Sequence, residues 1–402
     1  MKTQIMTSMP SSKPLEKTMT KKIPEIRFDG FSGEWEEKKL GDFGTVQMNK
    51  RIYKKETSES GEIPFYKIGS FGSTADTFIS RELFEEYKEK YPYPEIGALL
   101  ISASGSIGKV VEYKGEEAYF QDSNIVWLDH DERISNKFLK QFYQVVRWDG
   151  IEGTTIKRLY NKNILNTKIS YPEIAEQEKI GELFETLDAC LEDQAAYVET
   201  LKKFKKAFLQ KLFPQKGEKV PDLRFPGFEG DWENLNLKGI ISYEIKGKAK
   251  VNDIKTGNVE YLDADRLNGG KAVMSDFNKD VNENDILILW DGSNAGAIYS
   301  GYNGALGSTL KALKLKENYD SNFVYTYLKK NERKINEKYT TPNIPHVTKD
   351  FTEIFKIQFP SLSEQEKIGS FFKELDYKIE KEEDKLASLE RLKTALLQKI
   401  FV

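Results

Sequence analysis

A segment of 42 residues that occurs twice constrains the fold of this chain more than any other feature. Residues 172–213 (PEIAEQEKIGELFETLDACLEDQAAYVETLKKFKKAFLQKLF) align without a gap with residues 360–401 (PSLSEQEKIGSFFKELDYKIEKEEDKLASLERLKTALLQKIF). The hexapeptide EQEKIG is common to both copies, and the closing QKLF of the first returns as QKIF in the second. The repeat predicts two related halves that end in the same kind of element.

Each copy has an apolar seam whose members are spaced alternately four and three residues apart. The seam residues that we expect to pair the helices or to contact a partner are Ile180, Phe184, Leu187, Leu191, Leu201, Ile368, Phe372, Leu375, Ile379 and Leu389. This spacing is that of a coiled coil, and Pro172 and Pro360 suit the start of a helix. We therefore expect two helices of ~38 residues, each about 57 Å long at 1.5 Å per residue. An amphipathic helix packed on a globular core is the alternative.

The two helices are expected to pack antiparallel, with midpoints near Ala196 and Asp384. A parallel pair would require the chain to travel back along the whole first helix before the second begins. Polar residues interrupt the seam at matched positions, Gln194 with Glu382 and Lys205 with Lys393. They either lie at an exposed edge of the pair or set its register and contact partner subunits.

A shorter repeat begins each half of the chain. Residues 22–35 (KIPEIRFDGFSGEW) match residues 219–232 (KVPDLRFPGFEGDW). The expected divisions are a disordered tail (1–21), a first globular domain (22–171), a first helix (172–213), a linker (214–221), a second globular domain (222–359) and a second helix (360–402). Met19 is an alternative start, since the repeat begins just after it.

Each globular domain combines predicted strands with a helix. Short apolar runs bounded by turn residues predict strands at 64–69, 98–102, 109–113 and 124–128, and then a helix at 137–148. The second half has the same order, with strands at 259–263, 285–290, 297–299 and 309–313 and a helix at 322–328. The predicted fold class is therefore α+β, with two pseudo-symmetric mixed domains separated by two long helices in an antiparallel coiled coil.

Composition excludes several classes of protein. The single cysteine, Cys190, cannot form a disulfide framework within the chain, and two histidines are too few to indicate a zinc site. Apolar runs stay well short of ~18 residues, so we expect no membrane span, and the polar N-terminal tail lacks the apolar core of a signal peptide. We therefore expect a cytoplasmic protein. The net charge of −3 means that any nucleic-acid site must come from local basic patches.

Glycine-rich turns occupy equivalent places in the two halves. Ser104–Lys109 (SGSIGK) resembles part of a phosphate-binding loop, but Ala103 stands where its first glycine belongs and Val110 where its Ser/Thr belongs. A tight turn between strands is the better interpretation. Such a turn, like Asp291–Gly296 (DGSNAG) in the other half, also lets backbone and small polar side chains approach DNA closely.

Basic, aromatic and small polar residues near these turns are the candidate DNA contacts, because such side chains neutralise phosphates and read base edges. The candidates are Tyr66, Lys67, Ser104, Gly105, Ser106, Lys109, Thr154, Thr155, Lys157, Arg158, Arg266, Lys271, Asp291, Ser293, Asn294, Lys311, Thr340, Thr341 and Asn343. A solvated surface has the same composition, so this pattern is weak by itself. We find no motif of an amino-methyltransferase, and a nuclease carboxylate cluster is disfavoured because the acidic residues lie mostly on predicted helix faces.

Taken together, the chain resembles the specificity subunit of type I restriction-modification systems from about Lys22 to Phe401. The resemblance lies in the segments that lead into the two helices (172–180 and 360–368) and in the duplicated Pro-x-[Leu/Ile]-Arg-Phe-x-Gly-Phe-x-Gly-x-Trp. The turn at 100–108 (LISASGSIG) is also similar to the family's, whereas 289–296 (LWDGSNAG) departs from it.

The resemblance implies a non-catalytic subunit in which each globular domain reads one half of a split double-stranded DNA site. The helices would set the spacer and dock two modification subunits, which bind S-adenosylmethionine and methylate adenine. Two restriction subunits, which are motor-nucleases that use ATP and Mg²⁺, would complete the complex. The subunit itself would hold no cofactor and no metal.

Other classes remain open at this point. A stand-alone tandem DNA-binding regulator is the main alternative, although we find no helix-turn-helix. A coiled-coil scaffold that binds only proteins would leave the duplicated turns and basic loops unexplained. Co-purification with a methyltransferase separates the first interpretation from these alternatives and from a nuclease.

Overall fold

A computed structural model describes residues 22–148, 158–343 and 345–402. The chain divides into two units, and the division falls within the two long helices. The first unit combines the described residues up to Asp193 with Ala387–Val402, and the second is Gln194–Leu386.

The first unit contains three small sheets. Its strands are β1 (Glu36–Lys39), β2 (Gly44–Gln47), β3 (Ile63–Tyr66), β4 (Phe78–Ile79), β5 (Leu99–Ser102), β6 (Val110–Glu112), β7 (Tyr119–Phe120), β8 (Ile125–His130) and β9 (Lys168–Tyr171). Its helices are α1 (Arg81–Lys90), α2 (Asn136–Val145), α3 (Asn161–Asn166) and the first part of α4 (Ile174–Lys211), with single 3-10 turns at Leu40–Asp42 and Lys54–Glu56. The sheet orders are β2-β8-β5-β6, β4-β3-β7 and β1-β9.

The second unit is built from equivalent strands. They are β10 (Glu233–Asn236), β11 (Ile241–Lys246), β12 (Val259–Leu262), β13 (Val273–Ser275), β14 (Ile286–Leu289), β15 (Ile298–Tyr299), β16 (Ala305–Leu306), β17 (Leu310–Leu315) and β18 (Lys356–Phe359). The helices that begin here are α5 (Leu237–Ile240), α6 (Ala264–Leu267), α7 (Ser321–Lys330), α8 (Glu332–Lys338), α9 (Phe351–Ile354) and α10 (Leu362–Ile400), with a 3-10 turn at Val251–Asp253.

Strand order extends the duplication to residues whose sequences have diverged. The sheets of the second unit are β11-β17-β14-β15, β13-β12-β16 and β10-β18, which match those of the first unit strand for strand. Even the mixture of directions is kept, because β3 pairs parallel with β7 and β12 pairs parallel with β16. The α+β fold of both domains is thus as predicted.

In the first unit, the start of α4 packs against the end of α10. Ile180 and Phe184 share one hydrophobic cluster with Leu397 and Ile400. Further along, the Asp188 carboxylate pairs with Lys393, with 2.6 Å between Oδ1 and Nζ. As the residue number increases along α4, the number of the contacting residue on α10 decreases, so the two segments are antiparallel.

The second unit shows the same relationship between the remaining segments. Phe208 packs against Phe371 at 5.2 Å between ring centroids, and Lys205 forms an ion pair with Asp376. Because this pair repeats the contact of Lys393 with Asp188, the polar seam positions bind across the seam, as the register hypothesis expects. The antiparallel coiled coil predicted from the heptads is confirmed.

The seam residues are largely enclosed within their own unit. Ile180, Phe184, Ile368 and Phe372 are 0–1% exposed and belong to the domain cores. Leu187, Leu375 and Ile379 are also buried, whereas Leu191, Leu201 and Leu389 are half-buried. The first three turns of each helix therefore belong to a domain core as well as to the contact between the two helices.

The repeated EQEKIG segment joins each helix to its domain. Glu176 accepts two hydrogen bonds from the Arg27 guanidinium, at 2.8 and 2.7 Å. Gln177 accepts from the backbone N–H of Ser135 at 2.9 Å, next to the start of α2. Gly181 lies against Lys137, where an added Cβ would come within 2.4 Å of the Lys137 Cβ. The packing contacts of this segment therefore explain why both copies of the repeat have the same sequence here.

Among the residues that the structure describes, no helix is long and apolar enough to cross a membrane. The expected tail at 1–21 lies outside those residues.

Candidate nucleic-acid interface

The turn between β5 and β6 forms the centre of the candidate site in the first domain. Gly105 and Gly108 have φ of +65° and +82°, a region that glycine adopts without strain. The Ser102 hydroxyl accepts from the Lys109 backbone N–H at 2.9 Å, and the Gly108 N–H donates to the Ser102 carbonyl at 2.9 Å. These bonds close the turn and present Gly105 and Ser106 at the surface.

Two distant segments meet the first residue of this turn. Ser104 forms an isolated antiparallel bridge with Arg158, and its hydroxyl donates to the Asn124 side-chain oxygen at 2.8 Å. Arg158 donates through Nη2 to the Ser123 carbonyl at 2.8 Å. The structure thus brings together two predicted residues, Ser104 and Arg158, that are far apart in the sequence.

The loop after β3 lies beside the same turn. Tyr66 stacks on Phe120 at 5.9 Å, and an added Cβ on Gly105 would lie 3.5 Å from Ile68. Lys67 pairs with Asp76 at 3.2 Å. Hydrogen bonds from Thr77 and from Lys67 lower the pKa of the Asp76 carboxyl.

Lys109 is the last of the predicted residues that this turn contains. Its amine donates to the Phe71 carbonyl and lies 5.9 Å from the Phe71 ring centroid. The predicted residues Tyr66, Lys67, Gly105, Ser106 and Lys109 therefore form one surface with Ser104 and Arg158.

Several residues of this surface were missed by reasoning from the sequence. A cleft of about 480 Å³ is lined by Met48, Ser123, Arg158, Leu159, Tyr160, Asn161 and Lys162. Next to it Arg51 donates a hydrogen bond to Asp122 at 2.9 Å, and this bond raises the pKa of Arg51. Ser123 has φ of +57°, a conformation unusual for serine. The Asp-Ser-Asn run before β8 was the signal for this turn.

The turn between β14 and β15 is the counterpart in the second domain. Gly292 and Gly296 have φ of +120° and +94°. The Gly296 N–H donates to the Leu289 carbonyl at 2.8 Å, as Gly108 does to Ser102. Ser293 and Asn294 are exposed at its tip. The two turns are therefore closed by the same backbone hydrogen bonds, although the second turn is one residue longer and their sequences differ.

A loop that precedes α9 closes over this second turn. Asp291 bridges His346, and the Gly292 N–H donates to the Pro345 carbonyl at 2.9 Å. Thr341 lies 2.9 Å from His346 between Oγ1 and Nδ1, and Thr340 bridges Val347. Of the predicted residues, Asp291, Ser293, Asn294, Thr340 and Thr341 thus come together; Asn343 is exposed in the same loop.

Lys311 lies at the side of the second turn rather than at its tip. Its amine is 3.5 Å from the Trp290 ring centroid and 2.8 Å from a Glu244 carboxylate oxygen. Lys246 on β11 lies opposite Lys311 on β17, and its amine forms an ion pair with Asp291.

Arg266 and Lys271 lie on the segment that follows β12. Arg266 binds Glu260, which raises the pKa of Arg266, and it faces the Tyr302 ring at 5.6 Å. Lys271 is exposed just before β13. Three further candidates, Thr154, Thr155 and Lys157, lie outside the described residues.

The chemistry of both surfaces is that of hydrogen-bond donors and acceptors on a rigid turn. Arginine, lysine, serine, asparagine and a carboxylate are present, each suited to phosphate or base edges. Within the described ranges, no group of three or more His, Cys, Asp or Glu side chains is placed to hold a metal ion.

Fold and surface together define a class: a duplicated protein with two homologous α+β domains and two antiparallel helices. Each domain presents a polar turn, called here the strand-end turn, between β5 and β6 in the first domain and between β14 and β15 in the second. The family model described as the type I restriction modification DNA specificity domain matches residues 32–203 and 229–391. The chain belongs to this family.

Individual relatives agree with that membership. The chain is 56% identical over 152 residues to a protein of Haemophilus influenzae named a type I restriction enzyme specificity subunit, and 36% identical over 179 residues to the specificity subunit of the type I restriction enzyme MjaVIII of Methanocaldococcus jannaschii. The first match covers 37% of this chain and 40% of the relative, and the second covers 42% of each. The chain therefore spans about two fifths of the length of these relatives.

A solved structure has the same fold over nearly the whole chain. The crystal structure of a type I restriction-modification system S subunit from M. genitalium superposes with a TM-score of 0.67 at 18% sequence identity. The superposition covers 94% of this chain and 99% of that one.

Proposed function

We propose that this chain is the DNA specificity subunit of a type I restriction-modification complex in the cytoplasm. Each globular domain reads one half of a bipartite double-stranded DNA site, and the chain itself catalyses no reaction. The observation that carries the proposal is the strand-end turn present in both domains, which is closed by the same backbone hydrogen bonds and carries different polar side chains. Such a pair suits a protein that reads two different half-sites in the same manner.

The two long helices set the distance between the half-sites in this proposal. A helix of 38 residues, such as α4, is about 57 Å long. One turn of DNA is about 34 Å, or ~10 base pairs, so helices of this length suit half-sites about one turn apart. The base pairs between them would remain unread.

The outer faces of the helices are the proposed docking surface for two modification subunits, which bind S-adenosylmethionine. In the second unit Tyr197, Phe204 and Tyr377 are 40%, 47% and 58% exposed, although the two helices that carry them pack against each other. Large exposed aromatic side chains suit a protein interface. Two restriction subunits, with ATP and Mg²⁺, would complete the complex.

The test is to map methyladenine in DNA from cells that contain the modification subunit with or without this chain. We expect methylation at a split motif only when the chain is present. Methylation of the same motif without it, or of a single continuous motif with it, would contradict the proposal. A Tyr377→Glu and Phe204→Glu double variant should lose co-purification with the modification subunit while DNA binding by the isolated chain persists.

A further inference from the structure

Equivalent positions around the two strand-end turns can be assigned from backbone hydrogen bonds alone. The Ala103 N–H donates to the Asn124 carbonyl at 2.7 Å, and the Trp290 N–H donates to the Thr309 carbonyl at 2.8 Å. The Ala103 and Trp290 carbonyls then accept from Leu159 and Val347, both at 2.8 Å. Asn124 is therefore the counterpart of Thr309.

The same frame aligns the residues on either side. The bridge from Ser104 to Arg158 corresponds to the bridge from Asp291 to His346. The last residues that pair between β2 and β8 are Gln47 and Trp127, and Met48 is the next residue after Gln47. In the second domain the residue at that place in β11 is Lys246, which pairs with Lys311. Four pairs of positions result: Met48 and Lys246, Ser104 and Asp291, Asn124 and Thr309, and Arg158 and His346.

All four pairs differ chemically while the backbone around them is the same. The first domain has a thioether, a hydroxyl, an amide and a guanidinium, and the second has an ammonium, a carboxylate, a hydroxyl and an imidazole. The side chains also contact one another within each set. In the first domain Ser104 donates to Asn124, and Met48 and Arg158 both contact Ser123, which lies outside the set. In the second domain Lys246 pairs with Asp291.

We propose that these four positions determine which base each domain accepts at one point of its half-site. This inference rests on the proposed function, since it assumes that each domain reads DNA. Arg158, held by the Ser123 carbonyl through Nη2, has further N–H donors, which match the two acceptors of guanine. Ser104 is a positioning residue, because it is 7% exposed and acts by orienting Asn124.

The second domain presents the opposite charge at another position of its set, because Asp291 is the counterpart of Ser104 and not of Arg158. The Asp291 carboxylate accepts hydrogen bonds, and its partner Lys246 holds it at the turn. A carboxylate matches the amino group of cytosine or adenine and repels the acceptor edge of guanine. The first half-site should therefore contain a guanine that depends on Arg158, and the second a base with an amino group that depends on Asp291.

The test grafts one set onto the other domain and maps methyladenine for the complex with its modification subunits. The graft is Lys246→Met, Asp291→Ser, Thr309→Asn and His346→Arg, and the matched control is Arg333→His, whose side chain is 91% exposed on α8. We expect the graft to change one position of the second half-site from an amino-bearing base to guanine and to leave the first half-site unaltered. The control should leave both unaltered.

A second variant keeps the inference testable if the graft does not fold. Arg158→Lys keeps the charge but removes the paired donors, so discrimination for guanine at one position of the first half-site should fall about 10- to 100-fold. Unchanged half-sites in both variants would overturn the inference even though the unaltered chain directs a split motif. Failure of the unaltered chain to direct any split motif would instead overturn the proposed function.

Discussion

The Gln194 side chain donates to the Glu382 carboxylate at 2.8 Å and to the Glu382 carbonyl at 3.1 Å. These two residues occupy the same position of the 42-residue repeat, so the contact joins a position to its own copy. Gln194 is only 7% exposed. A polar contact enclosed in an apolar seam favours one alignment of the two helices over alignments shifted by a turn.

Replacing both residues by leucine should therefore stabilise the chain and loosen its register. We expect Gln194→Leu with Glu382→Leu to raise the free energy of unfolding by about 1 kcal/mol, because an apolar pair needs no desolvation of a carboxylate. Gln194→Leu alone should lower it, since Glu382 then loses a donor. Cysteine pairs placed along the seam would crosslink at several offsets in the double variant, and an unaltered crosslink pattern would rule out the register role.

The ion pair between Arg224 and Glu364 should contribute strongly to stability. The two side chains form two hydrogen bonds, at 2.8 and 2.7 Å, and Glu364 is 1% exposed at its side chain. Glu364→Gln leaves the guanidinium without its charge partner and should lower the free energy of unfolding by about 3 kcal/mol in denaturant titrations. Glu337→Gln, which removes the exposed partner of Arg333, is the control and should change it by less than about 0.5 kcal/mol. Equal effects would show that burial of the pair is unimportant.

A close contact between α10 and α7 predicts that Gly369 tolerates no side chain. An added Cβ would lie 2.1 Å from a carboxylate oxygen of Asp320 and 2.8 Å from the Phe323 backbone nitrogen. Gly369→Ala should therefore cost about 2 kcal/mol or more of unfolding free energy. Gly239→Ala is the matched control, because its added Cβ has no described atom within 4 Å apart from its chain neighbours and its own helix backbone, and its Tm should stay within a few degrees. A Tm for Gly369→Ala equal to that of the control would contradict the contact.

Lys330 should make stability depend on pH in the alkaline range. Burial lowers the pKa of Lys330 to about 8, and its amine lies 5.0 Å from the Phe213 ring centroid. The unfolded chain then holds more protons than the folded chain between about pH 8 and pH 10.5, so this group's contribution to stability rises with pH in that interval.

The first domain offers the matched substitution, since Val145 ends α2 where Lys330 ends the equally long α7. We expect Lys330→Val to be more stable than the unaltered chain by about 1 kcal/mol at pH 7, with the difference shrinking as the pH is raised to 10. A difference that stays constant over that range, measured by denaturant titration, would show that Lys330 does not titrate as a buried amine.

Local pattern was enough to predict the two helices, their direction and three strands of each four-stranded sheet (β5, β6 and β8, and β14, β15 and β17), whereas β2 and β11 were not predicted. The heptad period and the matched borders determine these elements, and runs such as Leu99–Ser102 are apolar throughout. Strand β1 could not be predicted in this way, because Glu36–Lys39 has no apolar alternation and pairs only with the distant β9. Its strand conformation depends on tertiary pairing rather than on its own composition.

The candidate sites were predicted in part for the same reason. Glycines and small polar residues indicated both turns, but contacts such as Arg158 with Ser123 join segments that no local period connects. Met48 carries no signal in the sequence and is recognised only through the strand pairing that places it.

The most direct measurement of the central claim is methyladenine mapping with a heptad removed from both helices, residues 192–198 and 380–386, which are matched by the repeat. Removing seven residues shortens each helix by about 10.5 Å, so the unread spacer should shorten by about 3 base pairs while both half-site sequences stay the same. Altered half-site sequences with an unaltered spacer would contradict the claim that the helices set the distance and the domains read the bases.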